Sequence, residues 1–333
     1  MKKPVIKVKW GILSTAKIGT SQVIPAMQQG ELTEVCAIAS RSIDEAKVWA
    51  GKLNIPKAYG SYEELLLDEE IEAIYNPLPN HLHVEWTIKS MQYGKHVLCE
   101  KPFALRSSDI PSVISLKKKK GLKIGEAFMV KTHPQWLKVK QLIEEGFIGK
   151  LELIHGFFSY FNNDPKNIRN IATYGGGALW DIGCYLVMTS RFIFGEEPVN
   201  VKASMTYDAT FNIDKIVSAI LEFPSGKAVF SASTQLVPYQ RMQFFGTEKM
   251  LEISIPFNAP VEQPAEIIIL KGDKFEKTNQ VITIPVCNQY TIQFDAFSKA
   301  IIEDGEEPVT LEETYLNTKV IEALFRSAGV QKP

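Results

Sequence analysis

The sequence has little of what would take it out of the soluble globular class. No run approaches the ~18 unbroken apolar residues of a membrane-crossing helix, so no membrane partner is expected. The N-terminal stretch MKKPVIKVKWGIL is broken by charge where a signal peptide would be continuously apolar. The four cysteines, Cys36, Cys99, Cys184 and Cys287, form no CxxC pair and no zinc spacing. No disulfide framework is therefore expected, and a reducing, cytoplasmic setting is. One-sided charge is also missing: 37 basic and 38 acidic residues leave a net charge of −1. No overall field draws such a chain to nucleic acid. The one basic run, Lys117 to Lys120, closes a helix, where cations meet the negative end of the dipole. His81-x-His83 with Cys99 and Glu100 fits no standard ligand set, so no metal is expected. GGGAL, Gly175 to Leu179, lacks the Gly-Lys-Ser/Thr of a Walker loop and reads as flexible backbone ahead of a helix.

The most informative absence is of glycine. WGILSTAKIG, Trp10 to Gly19, has the outline of a strand, a tight turn and a helix start that could hold a pyrophosphate. Placed on G-x-G-x-x-G it reads Ser14-Thr15-Ala16-Lys17-Ile18-Gly19, with two of the three glycines gone. Gly19 can still let helix and strand pack closely, and Ala16 adds one methyl where backbone must approach phosphate. Ser14 can donate a hydroxyl, and the N–H groups at the helix start attract anions whatever the side chains. On this motif alone an ordinary strand–turn–helix stays open. A carboxylate is missing too. The second strand ends in AIASRS, with Ser40 and Arg41 where NAD enzymes place Asp or Glu for the ribose 2′-hydroxyl. Arg41 can pair with a 2′-phosphate and Ser40 can donate to it, so the reading is NADP before NAD; the alternative is a solvated loop cation.

What is present is a chain of 333 residues, 45% hydrophobic, long enough for about two domains. Its first part alternates apolar runs (VKWGIL, EVCAIAS, IEAIYN, KHVLCE, LKIGEAF) with helix-like segments, a pattern for a doubly wound parallel sheet covered on both faces. Ser42 with Glu45 makes a capping box. After Phe128 long strand-like runs follow one another, LELIHGFFSYF, VNVKASMTY, IVSAILEF, KAVFSAST, RMQFFGT, KMLEISI, AEIIIL and QVITIP. The expectation is an α/β dinucleotide-binding domain over 1–128, then an α+β domain over 129–333 with a large, mostly antiparallel open sheet. Helices in the second part are expected at PQWLKVKQLIEEG, after Gly183, and at LEETYLNTKVIEALFRSAG.

HVLCEKP sets Lys101 between Glu100 and Pro102, just past a buried strand, where a lysine can be desolvated. Taken with WGILSTAKIG, AIASRS, YNPLPNHLHVEW, EAFMVKTHPQ and GGGALWDIGCY, this resembles the glucose–fructose oxidoreductase, inositol dehydrogenase and rhizopine-catabolism family, GFO/IDH/MocA. The strongest mark is Glu100-Lys101-Pro102 paired with Asp181-x-Gly183-x-Tyr185. GTEKMLEISIPFNAP and NQYTIQF are similar to the branch of dimeric dihydrodiol dehydrogenase and NADP-dependent D-xylose dehydrogenases. Val130-Lys131-Thr132-His133 departs from the aromatic–arginine pair frequent in such relatives, which bears on the substrate rather than the reaction.

The resemblance implies a Rossmann first domain and hydride transfer between a sugar, cyclic polyol or trans-diol carbinol carbon and nicotinamide C4. It implies Tyr185 as proton carrier, Lys101 as the cation that tunes it, and Asp181 as its orienting acceptor. The cofactor would meet Ser14, Thr15, Ala16, Lys17, Ile18, Ser40, Arg41, Asn80, His83, Glu100, Lys101 and Tyr290. The substrate would meet Lys101, Asn167, Arg169, Asp181 and Tyr185. For Asn80, His83, Tyr290 and Arg169, helix capping, core packing or surface charge remain alternatives. A homodimer through the second sheet is expected. Rival functions are a sugar–sugar oxidoreductase with tightly bound NADP, a non-catalytic NADP-binding regulator, and a scaffold.

Overall fold

Six short runs form a parallel sheet, five of them mostly buried on both faces and the edge strand, Lys57–Tyr59, half-buried. β1 (Val8–Leu13), β2 (Thr33–Ala39), β3 (Lys57–Tyr59), β4 (Ala73–Asn76), β5 (His96–Cys99) and β6 (Ile124–Glu126) lie in the order β3-β2-β1-β4-β5-β6, every pair parallel. This doubly wound order reverses between β1 and β4, and ligands of such sheets bind outside the carboxyl ends of the strands at that point. The computed structural model describes residues 6–272 and 280–330. The chain divides into two units: up to Met129 together with Asn288–Tyr315, and Val130–Cys287 with the segment from Leu316.

The return of 288–315 to the first sheet has a packing cause. The helix Gln289–Ile302 sets Phe294 and Phe297 against Trp10 on β1, with ring centroids 5.0 and 5.8 Å away. Trp10 Nε1 donates to Ser298 Oγ at 3.1 Å, and Asp295 accepts from the Glu31 and Leu32 backbone and the Thr33 hydroxyl. The sequence reading has no helix here. The cap is nonetheless present, since Asn288 accepts from the backbone N–H of Tyr290.

The second unit is built on an eight-stranded sheet. β7 (Leu151–Phe161), β8 (Asn200–Tyr207), β9 (Asp214–Glu222), β10 (Lys227–Ser233), β11 (Gln235–Gly246), β12 (Met250–Ile253), β13 (Ala265–Leu270) and β14 (Gln280–Ile284) lie in the order β14-β13-β12-β11-β7-β10-β9-β8. Only the β7–β10 pair is parallel. The helix Cys184–Phe194 packs on this sheet at Gly156, where an added Cβ would lie 2.6 Å from Leu186 and 2.7 Å from Met242. No helix among the described residues is long and apolar enough to cross a membrane.

Candidate active site

In the first unit the turn after β1 keeps its shape without the first glycine. Ser14 sits at φ 75°, the left-handed conformation a glycine would take there. Its N–H donates to Ala39 O at 2.9 Å and its hydroxyl accepts from Ala16 N–H at 3.2 Å. This local bond offsets part of the ~1–2 kcal/mol cost of that conformation. The side chain thus stabilises the turn from within. Gly19 is less constrained than its motif position implies, because an added Cβ would meet only ordinary contacts, 3.7 Å from Tyr75 and 3.8 Å from Pro77. Thr15, Ala16 and Ile18 are half-buried and Lys17 is exposed.

At the end of β2, Ser40 is buried and Arg41 exposed. The reading that no carboxylate faces this place is corrected by Glu45. Its Oε1 accepts from the Thr15 hydroxyl at 2.6 Å and its Oε2 from the Ser40 hydroxyl at 3.2 Å. The capping box is therefore only half formed. Ser42 accepts from Glu45 N–H, but the Glu45 carboxylate crosses to the turn, and Ser42 N–H goes to Ser40 Oγ.

The Glu100-Lys101-Pro102 loop leaves β5 and is tied at several points. Tyr75 O–H donates to Glu100 Oε1 at 2.7 Å, and Lys101 N–H reaches Glu100 Oε2 at 3.3 Å. Phe103 N–H donates to buried Glu126 at 2.8 Å, whose other oxygen takes the Thr314 hydroxyl. The Lys101–Pro102 bond is cis. Asn80 opens a short helical turn ahead of the helix His83–Gln92 and is half-buried. His83 is fully buried, with Nδ1 2.8 Å from Pro102 O and Nε2 2.6 Å from Leu78 O. A ring so enclosed cannot meet a cofactor directly, so His83 supports the loop under Lys101 instead. Burial drives its pKa down to about 4, so the ring is neutral at pH 7 and gives its single proton to one of the two carbonyls. Tyr290 is half-buried in the first turn of its helix, and burial with the Glu100 charge pushes its phenol up to about 12.

In the second unit, Asp181 and Tyr185 lie on successive turns of one buried helical segment, a wide turn Leu179–Gly183 continuing into Cys184–Phe194. Their residues are 7% and 6% exposed. Asp181 Oδ2 accepts a short hydrogen bond from Tyr160 O–H and another from Arg169 Nε at 3.0 Å. The Asp181 charge holds the guanidinium protonated, and burial raises the Tyr160 phenol well above its ordinary value, keeping it a donor. Asn167 does not reach this group through its side chain. It caps the turn Ile168–Asn170 by accepting from Arg169 N–H at 3.1 Å. Tyr185 is walled by Phe158 and Phe257, at ring centroids of 6.2 and 5.4 Å.

The glycines before this helix are closely packed, Gly176 on the Arg169 backbone and Gly177 on a buried carboxylate, which corrects the reading of flexible backbone. Asp214 accepts from Leu179 N–H at 2.7 Å and caps the segment. At Gly177, with φ 109°, an added Cβ would lie 1.9 Å from Asp214 Oδ1. Burial pushes Asp214 up to about 7 against the opposing pull of the backbone N–H groups. Tyr160, Glu45, Glu126 and Asp214 are the residues sequence reasoning missed. Two left a local signal: in FFSYF Tyr160 shares a strand face with Phe158, which is buried, and Glu45 is half of the capping box with Ser42.

Residues 8–128 match a family described as an oxidoreductase family with an NAD-binding Rossmann fold, and residues 136–252 match the GFO/IDH/MocA C-terminal domain. The chain belongs to the GFO/IDH/MocA oxidoreductase family. It is similar to the uncharacterized oxidoreductase ORF334 of Rhizobium meliloti, 41% identical over 96% of this chain and 97% of that one. It is similar to D-xylose 1-dehydrogenase (NADP(+)) 2 of Haloferax volcanii, 34% identical over 96% and 97% of the two chains. A third relative is trans-1,2-dihydrobenzene-1,2-diol dehydrogenase of Xenopus tropicalis, 34% identical over 98% and 99%. Among solved structures, a 3-ketoreductase from Actinomadura kijaniata in complex with NADP and TDP-benzene superposes with a TM-score of 0.90 at 26% identity, covering 96% and 98%. As a GFO/IDH/MocA chain the protein has the parallel sheet and the second, mostly antiparallel sheet that its sequence pattern predicts.

Proposed function

We propose that this GFO/IDH/MocA protein is an NADP-dependent dehydrogenase or reductase acting on a CH–OH group of a sugar, cyclic polyol or trans-diol. One observation carries the reading: Asp181, held by Arg169 and Tyr160, stands one turn before a buried Tyr185, in a chain that also presents Lys101 on a tied loop. A non-catalytic regulator has no need of this set. The relatives that act on xylose and on a trans-diol, and the NADP in the ketoreductase complex, support the substrate class and the cofactor.

The residues present fit a dinucleotide. Ser14 shapes the turn, the N–H groups of the turn and helix start would take the pyrophosphate, and Ser40 and Arg41 would take the 2′-phosphate. NADP, when bound, supplies nicotinamide C4 as hydride acceptor or donor. Tyr185 would take the alcohol proton during oxidation and return it during reduction. A free phenol has a pKa of about 10, and an ammonium within about 4–6 Å lowers such a group by about 1–3 units, which is the part assigned to Lys101. Asp181 would orient the reacting hydroxyls, and Asn167 would fix the turn that aims Arg169 at Asp181. The division of labour proposed is cofactor binding by residues 1–128 and substrate binding and self-association by 129–333, in a cytoplasmic homodimer. A screen of purified protein with NADP and NAD against aldoses, inositols and trans-diols tests the reading. NADP reduction by one of these classes is expected; no turnover of any of them in either direction would refute it.

A further inference from the structure

The carboxylate of Glu45 has a place that cofactor choice must pass through. It spans from Thr15, the residue after the left-handed Ser14, to Ser40 at the end of β2, with contacts of 2.6 and 3.2 Å. These two loops close the carboxyl edge of β1 and β2, where a Rossmann sheet holds the adenosine ribose. The usual partner of a carboxylate at the third helical position is the cap backbone N–H. Here that N–H is occupied by Ser40 Oγ, so Glu45 is turned outward onto the ribose side. Residues 41–45 are all exposed, so the carboxylate is open to a ligand. Arg41, on the same stretch, supplies the opposite charge.

We infer that Glu45 is a specificity-determining residue that reads the ribose 2′ position, accepting from a 2′-hydroxyl and opposing a 2′-phosphate. This rests on the cofactor reading above. Arg41 favours NADP through charge-assisted bonds, and Glu45 sets a limit on that preference by like-charge repulsion and by competing for the Ser40 and Thr15 hydroxyls. To take NADP, Glu45 must release both hydroxyls. To take NAD, it keeps one oxygen available for the ribose. The site is therefore built for both cofactors, with NADP ahead by a margin that Glu45 holds down.

Equilibrium titration of the purified full chain with NADP and with NAD, read by protein fluorescence, tests this without turnover. Glu45→Gln keeps the length and the capping geometry but removes the charge. It is expected to tighten NADP about three- to tenfold and to weaken NAD by a similar factor. Arg41→Ala is expected to weaken NADP about tenfold or more and leave NAD almost unchanged. If Glu45→Gln moves neither cofactor, or weakens both equally, while Arg41→Ala behaves as expected, Glu45 is only a tie between loops and the inference is overturned with the cofactor reading intact. If the unaltered protein binds neither cofactor, the cofactor reading itself falls and this inference with it.

Discussion

Single residues show how a motif can lose its letters and keep its geometry. Ser14 takes the backbone conformation of the absent glycine and stabilises it with its own hydroxyl. A pattern match sees a missing glycine, whereas the turn needs only a residue that tolerates φ > 0 and caps its own backbone. Lys101, Asp181 and Tyr185 stand out in the sequence because their spacing is local to two short motifs. The contacts of Tyr160, Glu126 and Glu45 do not, because their partners lie 21, 23 and 30 residues away along the chain. For Tyr160→Phe, the charge-assisted bond to Asp181 is lost and the ring stays. The expected cost is about 1.5–3 kcal/mol of unfolding free energy, measured by urea denaturation. The NADP dissociation constant should not change. No loss of stability would show that Asp181 is held by Arg169 alone.

Elements were legible where composition and length agreed. β7 runs for eleven residues rich in apolar and aromatic side chains and was read over its full span. β3 is three half-buried residues and carries too few positions to show a period. The helix Gln289–Ile302 escaped because its apolar residues answer to a sheet nearly 300 positions earlier, and its cap, Asn288, was the one local sign. The helical segment carrying Asp181 and Tyr185 depends on Asp214, whose raised pKa makes the dependence measurable. The folded value, about 7, lies above the ordinary carboxyl value of 3.8, so between those values the folded protein binds more protons. Asp214's contribution is therefore fully present below about pH 4 and is lost as pH rises through about 7, at most about 1.4 kcal/mol per pH unit. Asp214→Asn does not titrate. The stability difference, wild type minus variant, should fall as pH rises from about 4 to about 7. A flat difference would place the Asp214 pKa near that of an ordinary carboxylate.

For the whole molecule, the second sheet has one face under the helix Cys184–Phe194 and another that carries exposed apolar groups. Phe161 is 60% exposed, Val237 75% and Tyr239 45%. An antiparallel sheet tolerates an open face, but large apolar side chains left exposed on one face are what a protein contact would cover. Sedimentation at micromolar concentration is expected to give a dimer, and Val237→Lys with Tyr239→Lys should shift it toward monomer. A monomer in the unaltered protein would end the proposed homodimer. The central claim of the proposed function is that Lys101 and Tyr185 act as a unit on one carbinol. The most direct test is a double-mutant cycle in steady-state oxidation with saturating NADP. Tyr185→Phe should lower kcat by about 10²–10⁴-fold and abolish the rising limb of the pH profile below the free phenol pKa. Lys101→Met should cost a similar factor, and the double variant should be little worse than the weaker single, because residues acting as a unit do not add. Losses that multiply, or a Tyr185→Phe enzyme that keeps its rate and its pH limb, would contradict the account.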